Sequence, residues 1–484
     1  MKMFEVLLKG LDCRLIRGAQ TPIFGLTDDS REVKPGWAFV ACRGQSRDGH
    51  EFIAEALSRG ARALITERVV AVPEGVALAV APDTRAVLGE LAARFYDFPA
   101  QRLTLIGITG TNGKTSVAWF VREMLRGLGQ GVGLLGTIHY DLGTRRLPAR
   151  ETTPGCVRLH RYLAEMVRAG LTHAVMEVSS HALDQDRINP LRFQIAVFTN
   201  LSRDHLDYHR DMEAYFQAKK KLFGRYLLSQ GKAVVNVSDP WGRRLALELG
   251  GQAIRVGEGT ALRGSIEARE PGGYRFVLEY QDRRYTLATR LYGDFQLENL
   301  LLSVAVGLAL GFPLEEIGAS LSGISAPPGR LELVACYRGG LVFIDYAHTP
   351  GALASALQSL RPLVRNRLVC IFGCGGQRDR GKRPLMGEVA ALLADKVVLT
   401  SDNPRGEPPE EIVAQILKGI PPTKEPEVIL DRREAIYTGL KDLKEGDVLL
   451  IAGKGHEDYQ EIAGIRYPFS DQEVVREFLF TEGR

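Results

Sequence analysis

Gly110-Thr111-Asn112-Gly113-Lys114-Thr115-Ser116 is the segment of the chain with the most obvious chemistry. It follows an apolar, β-branched run at residues 103–109 and opens a stretch of helix period that reaches about Leu128. Backbone N–H groups and the positive end of the helix dipole then face one point, where a phosphate would sit. Lys114 would reach the terminal phosphates of ATP, and Thr115 would ligate magnesium. The common form of this loop has a further glycine at the place held by Ile108, so the match is to a shorter variant. Magnesium needs oxygen ligands, and the following strand ends supply Glu177 in MEVSSH and the run Asn200-Leu201-Ser202-Arg203-Asp204-His205-Leu206-Asp207. Both lie where parallel strands end, the usual ligand edge of such sheets.

A lysine adds to this set. In DMEAYFQAKKKLF, Met212, Tyr215, Phe216, Leu222 and Phe223 share one helical face; Lys219 falls on it, while Lys220 and Lys221 point elsewhere. Burial lowers a lysine pKa and frees a neutral amine, which can add CO2 to become a carbamate, a carboxylate able to hold a metal. The same spacing also suits a lysine whose stem packs while its head stays wet.

The elements that must position these residues alternate strand with helix, the pattern of an α/β protein built on parallel sheets. With 484 residues the chain is long enough for three domains. Residues 1–100 carry the short strands WAFVAC, ARALIT and GVALAVA and a helix from about Thr84 to Phe95. Residues 101–328 read as a doubly wound, phosphate-loop core with the strands GVGLLGT, HAVMEVS, IAVFTNL and AVVNV. An antiparallel hairpin broken at Pro271-Gly272-Gly273 is attached to that core. After the linker at 326–330, residues 329–484 form a second α/β domain with LVFIDYA, RLVCIFG, KVVLTS and DVLLIAG. Composition is that of a soluble globular protein, 45% hydrophobic and 25% charged, and a net charge of +4 is too small for a nucleic-acid binder. No apolar stretch is long enough for a membrane span and no leader is visible, so a cytoplasmic, monomeric protein is expected. The six cysteines form no CxxC pair and are expected to be reduced packing residues.

GTNGKTS, ETTP, MEVSSHALDQDR, TNLSRDHLDYH, GDFQLEN, PGRLE, DYAHTP, FGCGGQRDRGKRPLMG, SDNPRGE and AGKGHEDYQ occur in this order. In these strings the chain resembles the ATP-dependent Mur ligases of peptidoglycan synthesis, and among them the type that completes the tripeptide. The resemblance covers nearly the whole chain. It implies an N-terminal domain for a uridine nucleotide, a central ATPase domain and a C-terminal Rossmann-like domain that closes to bring the amino acid. It implies that Lys219 is carbamylated, and that Glu177 and His205 join Thr115 at magnesium. Asn299 would contact adenine, and Arg330 and Asp345 would meet ATP. Ser30 and Gln45-Ser46-Arg47 would touch the uridine nucleotide, and Thr152, Thr153, Ser179, Gln185 and Arg187 the muramoyl peptide. Arg378, Asp402, Asn403, Pro404, Arg405, Gly453 and Glu457 would form the amino-acid pocket.

Such an enzyme phosphorylates a carboxylate and lets an amine displace the phosphate. The resemblance implies transfer of meso-diaminopimelate to the γ-carboxylate of D-glutamate in UDP-MurNAc-L-Ala-D-Glu, with ATP and Mg2+. Arg405 and Arg378 suit the far-end carboxylate that separates this amino acid from L-lysine, and lysine-specific members usually lack the arginine at Arg405. A relative that uses L-lysine or another amino acid remains an alternative. So do a ligase for folates or another muramoyl precursor and a non-catalytic nucleotide-binding scaffold, with intact Lys114, Glu177, His205 and Lys219 arguing for an enzyme.

Overall fold

The computed structural model describes residues 1–44, 47–206, 208–270 and 272–482. The chain divides into two compact units: Met1–Arg263 with Leu300–Ser320, and Gly264–Asn299 with Leu321–Arg484.

The first unit holds two sheets. In the N-terminal one, strands Gly25–Thr27, Trp37–Val40, Ala63–Thr66 and Ala77–Val80 pair in parallel, and Arg14–Arg17 adds an antiparallel edge. That edge strand, RLIR, is exposed throughout and lacks the alternation that reveals a half-buried strand. Helix Thr84–Phe95 begins where expected because Asp83 accepts hydrogen bonds from the Arg85 and Ala86 amides. It packs Leu88, Leu91 and Ala92 into a core with Val40, Ile65 and Ala79.

The central sheet runs in the order Arg146–Pro148, His139–Asp141, Val132–Leu135, His173–Glu177, Thr104–Thr109, Phe193–Phe198, Leu227–Asn236, Ala253–Val256. Strand Thr104–Thr109 lies between two parallel neighbours, with Ile108 opposite Glu177 and Thr109 opposite Phe198. The carboxyl ends of all three therefore open on one edge, where the phosphate loop, Glu177 and the loop at residue 200 emerge. Strand Leu262–Glu270 joins this sheet at Val256↔Leu262 and runs on into the second unit.

In the second unit, Gly273–Tyr280 and Arg283–Ala288 form an antiparallel hairpin that turns at residues 281–282, after the expected break at 271–273, and that falls in this unit and not in the one holding the phosphate loop. Tyr292 packs edge-on against Phe343, and the Tyr274 hydroxyl donates to Ser359 O at 3.3 Å, tying this segment to the C-terminal residues. The C-terminal sheet has the order Glu332–Tyr337, Gly340–Asp345, Val448–Ala452, Leu368–Phe372, Lys396–Leu399, Glu427–Val428. Only Glu332–Tyr337 is antiparallel. Asp345 pairs with Ala452 and Phe372 with Leu399, so the loops after these strands share an edge too. A short hairpin, Tyr459–Ile462 with Ile465–Pro468, is not expected from sequence; its second strand is wholly exposed. Among the described residues no helix is long and apolar enough to cross a membrane. The six cysteines are free, and Cys336 is exposed, which corrects its reading as a packing residue.

Candidate active site

The phosphate loop is closed on itself. Gly110 (φ +150°) and Gly113 (φ +82°) take conformations that suit glycine, and a Cβ on Gly110 would overlap Thr199 Oγ1. Asn200 holds the far side, its side-chain oxygen accepting from the Asn112 amide at 2.9 Å. Helix Lys114–Gly127 starts with no side-chain cap, so its first N–H groups face the loop. Lys114 Nζ folds back and donates to Gly110 O at 3.0 Å and Thr111 O at 2.8 Å.

Glu177 is buried at the end of its strand and gathers three donors. Thr115 Oγ1 (3.0 Å) and Thr137 Oγ1 (2.9 Å) donate to Oε2, and the Thr137 amide donates to Oε1 at 2.8 Å. Gly136 leaves room for this carboxylate, since a Cβ there would come within 2.5 Å of Oε1. Thr137 escapes sequence reading, although its place just after a strand of the same sheet is a usable signal.

Lys219 is 1% exposed in helix Met212–Gly224, as its apolar face requires. Its Nζ donates to the same Gly110 O at 2.8 Å and lies 4.4 Å from the centre of the Tyr215 ring. Burial, and then the charge of Lys114, push its pKa well below the ordinary lysine value. Lys220 pairs with Glu248 and Lys221 with Asp184 instead. His205 is exposed, with φ +53°, and its ring stacks edge-on with His181 (5.0 Å) and Tyr215 (6.1 Å). Tyr215 thus stands between Lys219 and His205, a link that sequence spacing does not reveal.

Among the described residues no group of three or more His, Cys, Asp or Glu side chains could by itself hold a metal. The donors present are still those of magnesium: a hydroxyl and a carboxylate beside a phosphate loop, for an ion that takes its other ligands from water and substrate phosphate.

A cavity of about 530 Å³ in the same unit is lined by Ser30, Arg47, Gln185 and Arg187, four of the residues expected at the nucleotide substrate. Gln45 and Ser46 lie outside the described residues, as do Asp207 and Pro271. Ser30 Oγ donates to Glu55 Oε2 at 2.6 Å, which holds that carboxyl below its ordinary range. Arg187 pairs with Glu151 and donates to Gln185 Oε1 at 2.9 Å and Thr153 O at 3.3 Å. Thr153 Oγ1 donates to Glu177 O at 2.9 Å and accepts from the Ser179 amide at 3.0 Å. Thr152 and Thr137 hydroxyls stand 3.2 Å apart. Gln185, Arg187, Thr153 and Glu177 thus link the cavity wall to Thr115 of the phosphate loop, with Ser179 bonded to Thr153 and Thr152 reaching Glu177 through Thr137.

The second unit carries the other expected residues. Asn299 is buried and donates to Gln296 Oε1 at 3.0 Å. Arg330 lies over the Tyr346 ring at 4.7 Å, and Asp345 Oδ2 accepts from the Leu331 amide at 2.6 Å. Burial raises the Asp345 pKa to about 6, against the opposing charge of Arg330. With the folded value above the unfolded one, protonation favours the fold: this contribution is full below about pH 4 and is lost as pH rises through about 6. Its upper bound is about 3 kcal/mol, reduced by solvent at a half-buried group. Asp345→Asn should flatten the fall in melting temperature between about pH 4 and 7; profiles parallel to wild type would contradict this.

The string 402–405 is stitched to its neighbours. Gly376 N donates to Asn403 O at 2.9 Å, and a Cβ on Gly376 would overlap Pro404 O. Gly453 (φ +113°) leaves space for Asp402 Oδ2. Asn403 Nδ2 donates to Glu457 Oε2 at 2.8 Å, and buried Lys454 donates to Asn403 Oδ1 (3.2 Å) and Glu457 Oε2 (3.1 Å). Arg405 has φ +53°, a conformation accompanied by the hydrogen bond its backbone N–H donates to Glu461 O at 2.9 Å on the unexpected hairpin. Its Nη1 donates to Gly376 O at 2.9 Å, and its Nε lies 3.5 Å from Glu461 Oε2. A Cβ placed on Gly375 would be 2.9 Å from Arg405 Nη1 and 3.7 Å from Arg378 Cγ, so both arginines border one point. Lys454 and Glu461 escape sequence reading because the string they meet, at Asn403 and Arg405, is distant along the chain, 51 residues from Lys454 to Asn403.

Three family models match the chain in succession: "Mur ligase family, catalytic domain" at residues 22–96, "Mur ligase middle domain" at 108–307 and "Mur ligase, glutamate ligase domain" at 329–455. A protein of Gloeobacter violaceus named UDP-N-acetylmuramoyl-L-alanyl-D-glutamate--2,6-diaminopimelate ligase is 45% identical over 99% of this chain and 98% of its own. One of the same name from Aquifex aeolicus is 44% identical over 95% and 94%. A solved structure of a ligase with that name superposes with a TM-score of 0.68, at 34% identity over 97% of each chain. With these matches spanning its phosphate loop, its cavity and both loop edges, the chain belongs to the Mur ligase family.

Proposed function

We propose that the chain is the ATP-dependent ligase that joins meso-2,6-diaminopimelate to the γ-carboxylate of D-glutamate in UDP-MurNAc-L-Ala-D-Glu, releasing ADP and phosphate. It works as a cytoplasmic monomer with three domains, at residues 1–100, 101–328 and 329–484, and needs Mg2+ but no nucleic acid. The observation that carries the choice of amino acid is the pair Arg378 and Arg405 bordering Gly375, on a string whose Asn403 side chain is bonded to Glu457.

In the first step a carboxylate oxygen of the acceptor attacks the γ-phosphorus of ATP and ADP leaves. The acyl phosphate that results has a leaving group water tolerates, where a free carboxylate would have to expel oxide. Both reactants are anionic, so the site must supply positive charge without supplying water. Lys114 leaves its carbonyl partners for the phosphates, and Lys219, as its carbamate, joins Thr115, Glu177 and His205 as the residues that would hold magnesium. Magnesium supplies charge against the repulsion of the two oxyanions. Asn299, Arg330 and Asp345 take the nucleotide base and phosphates, and the loop amides after Gly110 and Gly113 cradle the phosphate chain.

In the second step the amine of diaminopimelate attacks the acyl carbon, phosphate departs, and the amine proton passes to solvent. Arg405 and Arg378 grip the far carboxylate, and Glu457 pairs with the far ammonium. Incubation with UDP-MurNAc-L-Ala-D-Glu, ATP, Mg2+ and a panel of amino acids, read by mass spectrometry, tests this. A tripeptide product with meso-diaminopimelate is expected, and a preference for L-lysine would overturn the substrate assignment. ATP cleavage without any amide product would overturn the ligase reading itself.

A further inference from the structure

Arg432 is wholly buried at the start of helix Arg432–Lys441. Its guanidinium makes a two-pronged pair with Asp471, itself wholly buried at the start of helix Asp471–Glu482: Nε to Oδ1 and Nη2 to Oδ2, each at 2.7 Å. The remaining bonds go to backbone. Nη2 donates to Ala452 O at 3.1 Å and Nη1 to Ser401 O at 3.4 Å. Ser401 is the residue immediately before Asp402-Asn403-Pro404-Arg405, and Ala452 the residue immediately before Gly453 and the loop that carries Lys454 and Glu457. One planar, rigid group thus grips the root of each loop, in a geometry a lysine cannot copy.

We infer that Arg432, oriented by Asp471, is a positioning residue that sets the spacing of the two amino-acid loops, and so the distance between Arg405 and Glu457, without touching substrate. The inference rests on the proposed amino-acid pocket. Lys454 also joins the loops, but through the side chains of Asn403 and Glu457, and the bonds it makes there do not reach the carbonyls of Ser401 and Ala452. A turn at a root is magnified along the loop, and a displacement of about 1 Å at a bound substrate can cost about 10²-fold in rate. A burial role alone would call only for a stable pair; the two carbonyl bonds add a demand on direction.

Arg432→Lys, and the double change Arg432→Met with Asp471→Leu, separate the two roles. The double change removes both buried charges together, which commonly leaves a fold intact. In variants with a cooperative thermal transition, KM for meso-diaminopimelate should rise about tenfold or more, while KM for ATP and for UDP-MurNAc-L-Ala-D-Glu stays within about twofold. In Arg432→Lys, amide exchange at Asn403 and Gly453 should quicken together, a readout independent of turnover. An unchanged KM for diaminopimelate in a folded variant, or an equal rise for all three substrates, would overturn the inference. Should the double variant not fold, Arg432→Lys alone decides. Wild-type enzyme inactive with meso-diaminopimelate would instead sink the functional reading, and the exchange measurement would still judge the anchoring.

Discussion

Lys219→Ala should lower the rate of ligation by about 10²–10³-fold, the size of effect seen when one fixed electrostatic group is removed from an active site. Lys219 hydrogen-bonds to a carbonyl and not to a carboxylate: it shares Gly110 O with Lys114 and lies over Tyr215. Two ammonium groups converging on one carbonyl, one of them wholly buried, is an arrangement that favours loss of a proton and capture of CO2. Carbamylation exchanges a mismatched cation for an anion at the phosphate loop, next to the charge of Lys114. Short carboxylic acids added to Lys219→Ala should therefore restore part of the rate, because they supply the missing anion. Lys220→Ala and Lys221→Ala break exposed pairs and should stay within about twofold of wild type. Intact mass measured under bicarbonate, and crystallographic density with nucleotide and metal bound, provide the direct check. A bare ammonium at Lys219 under those conditions would refute the modification.

Arg405→Asn should raise KM for meso-diaminopimelate by about 10²-fold or more while leaving the constants for ATP and UDP-dipeptide nearly unchanged. Asparagine is the informative choice because it tolerates the left-handed backbone at this position, so the loop keeps its path while the fork is lost. Arg405→Lys should perform little better, since one ammonium cannot hold Gly376 O, face Glu461 and grip a carboxylate with two parallel bonds. Neither change should create a good lysine ligase. Lysine still lacks the far carboxylate that Arg378 would meet, so the binding lost with Arg405 is not regained with that amino acid. Competition between the two amino acids at equal concentration, read by product mass, checks this. Wild-type enzyme accepting both would remove the basis of the assignment.

The parts of the site legible in sequence are those whose meaning is local. A strand, two glycines, Lys114-Thr115 and a helix follow one another without interruption, so the phosphate loop can be placed without tertiary information. Lys219 is legible because helical period alone puts it on the buried face. Arg14–Arg17 and the 459–468 hairpin are not, since exposed strands carry no alternation and are specified by the partner they pair with. The support around the site is hidden for a related reason. Thr137 meets Glu177 across 40 residues, and Arg432 meets Asp471 across 39, contacts that only the order of strands brings about. Arg432 in particular reads as an ordinary surface arginine after a helix cap.

The threonine path from the cavity to Glu177 makes the enzyme a caliper. Its jaws are the cavity proposed for the nucleotide at one end and the phosphate loop at the other, and buried Thr153 and Glu177 lock the span between them to the central sheet. An acceptor is gauged by length before its terminal group is inspected. Adding or removing one residue between the sugar and the reacting carboxylate moves that carboxylate by about 3.5 Å, several times the misplacement a phosphoryl transfer tolerates. Shorter and longer muramoyl peptides should then occupy the cavity and compete for it while remaining unphosphorylated, so the order in which a peptide stem is assembled can be enforced by reach rather than by side-chain recognition.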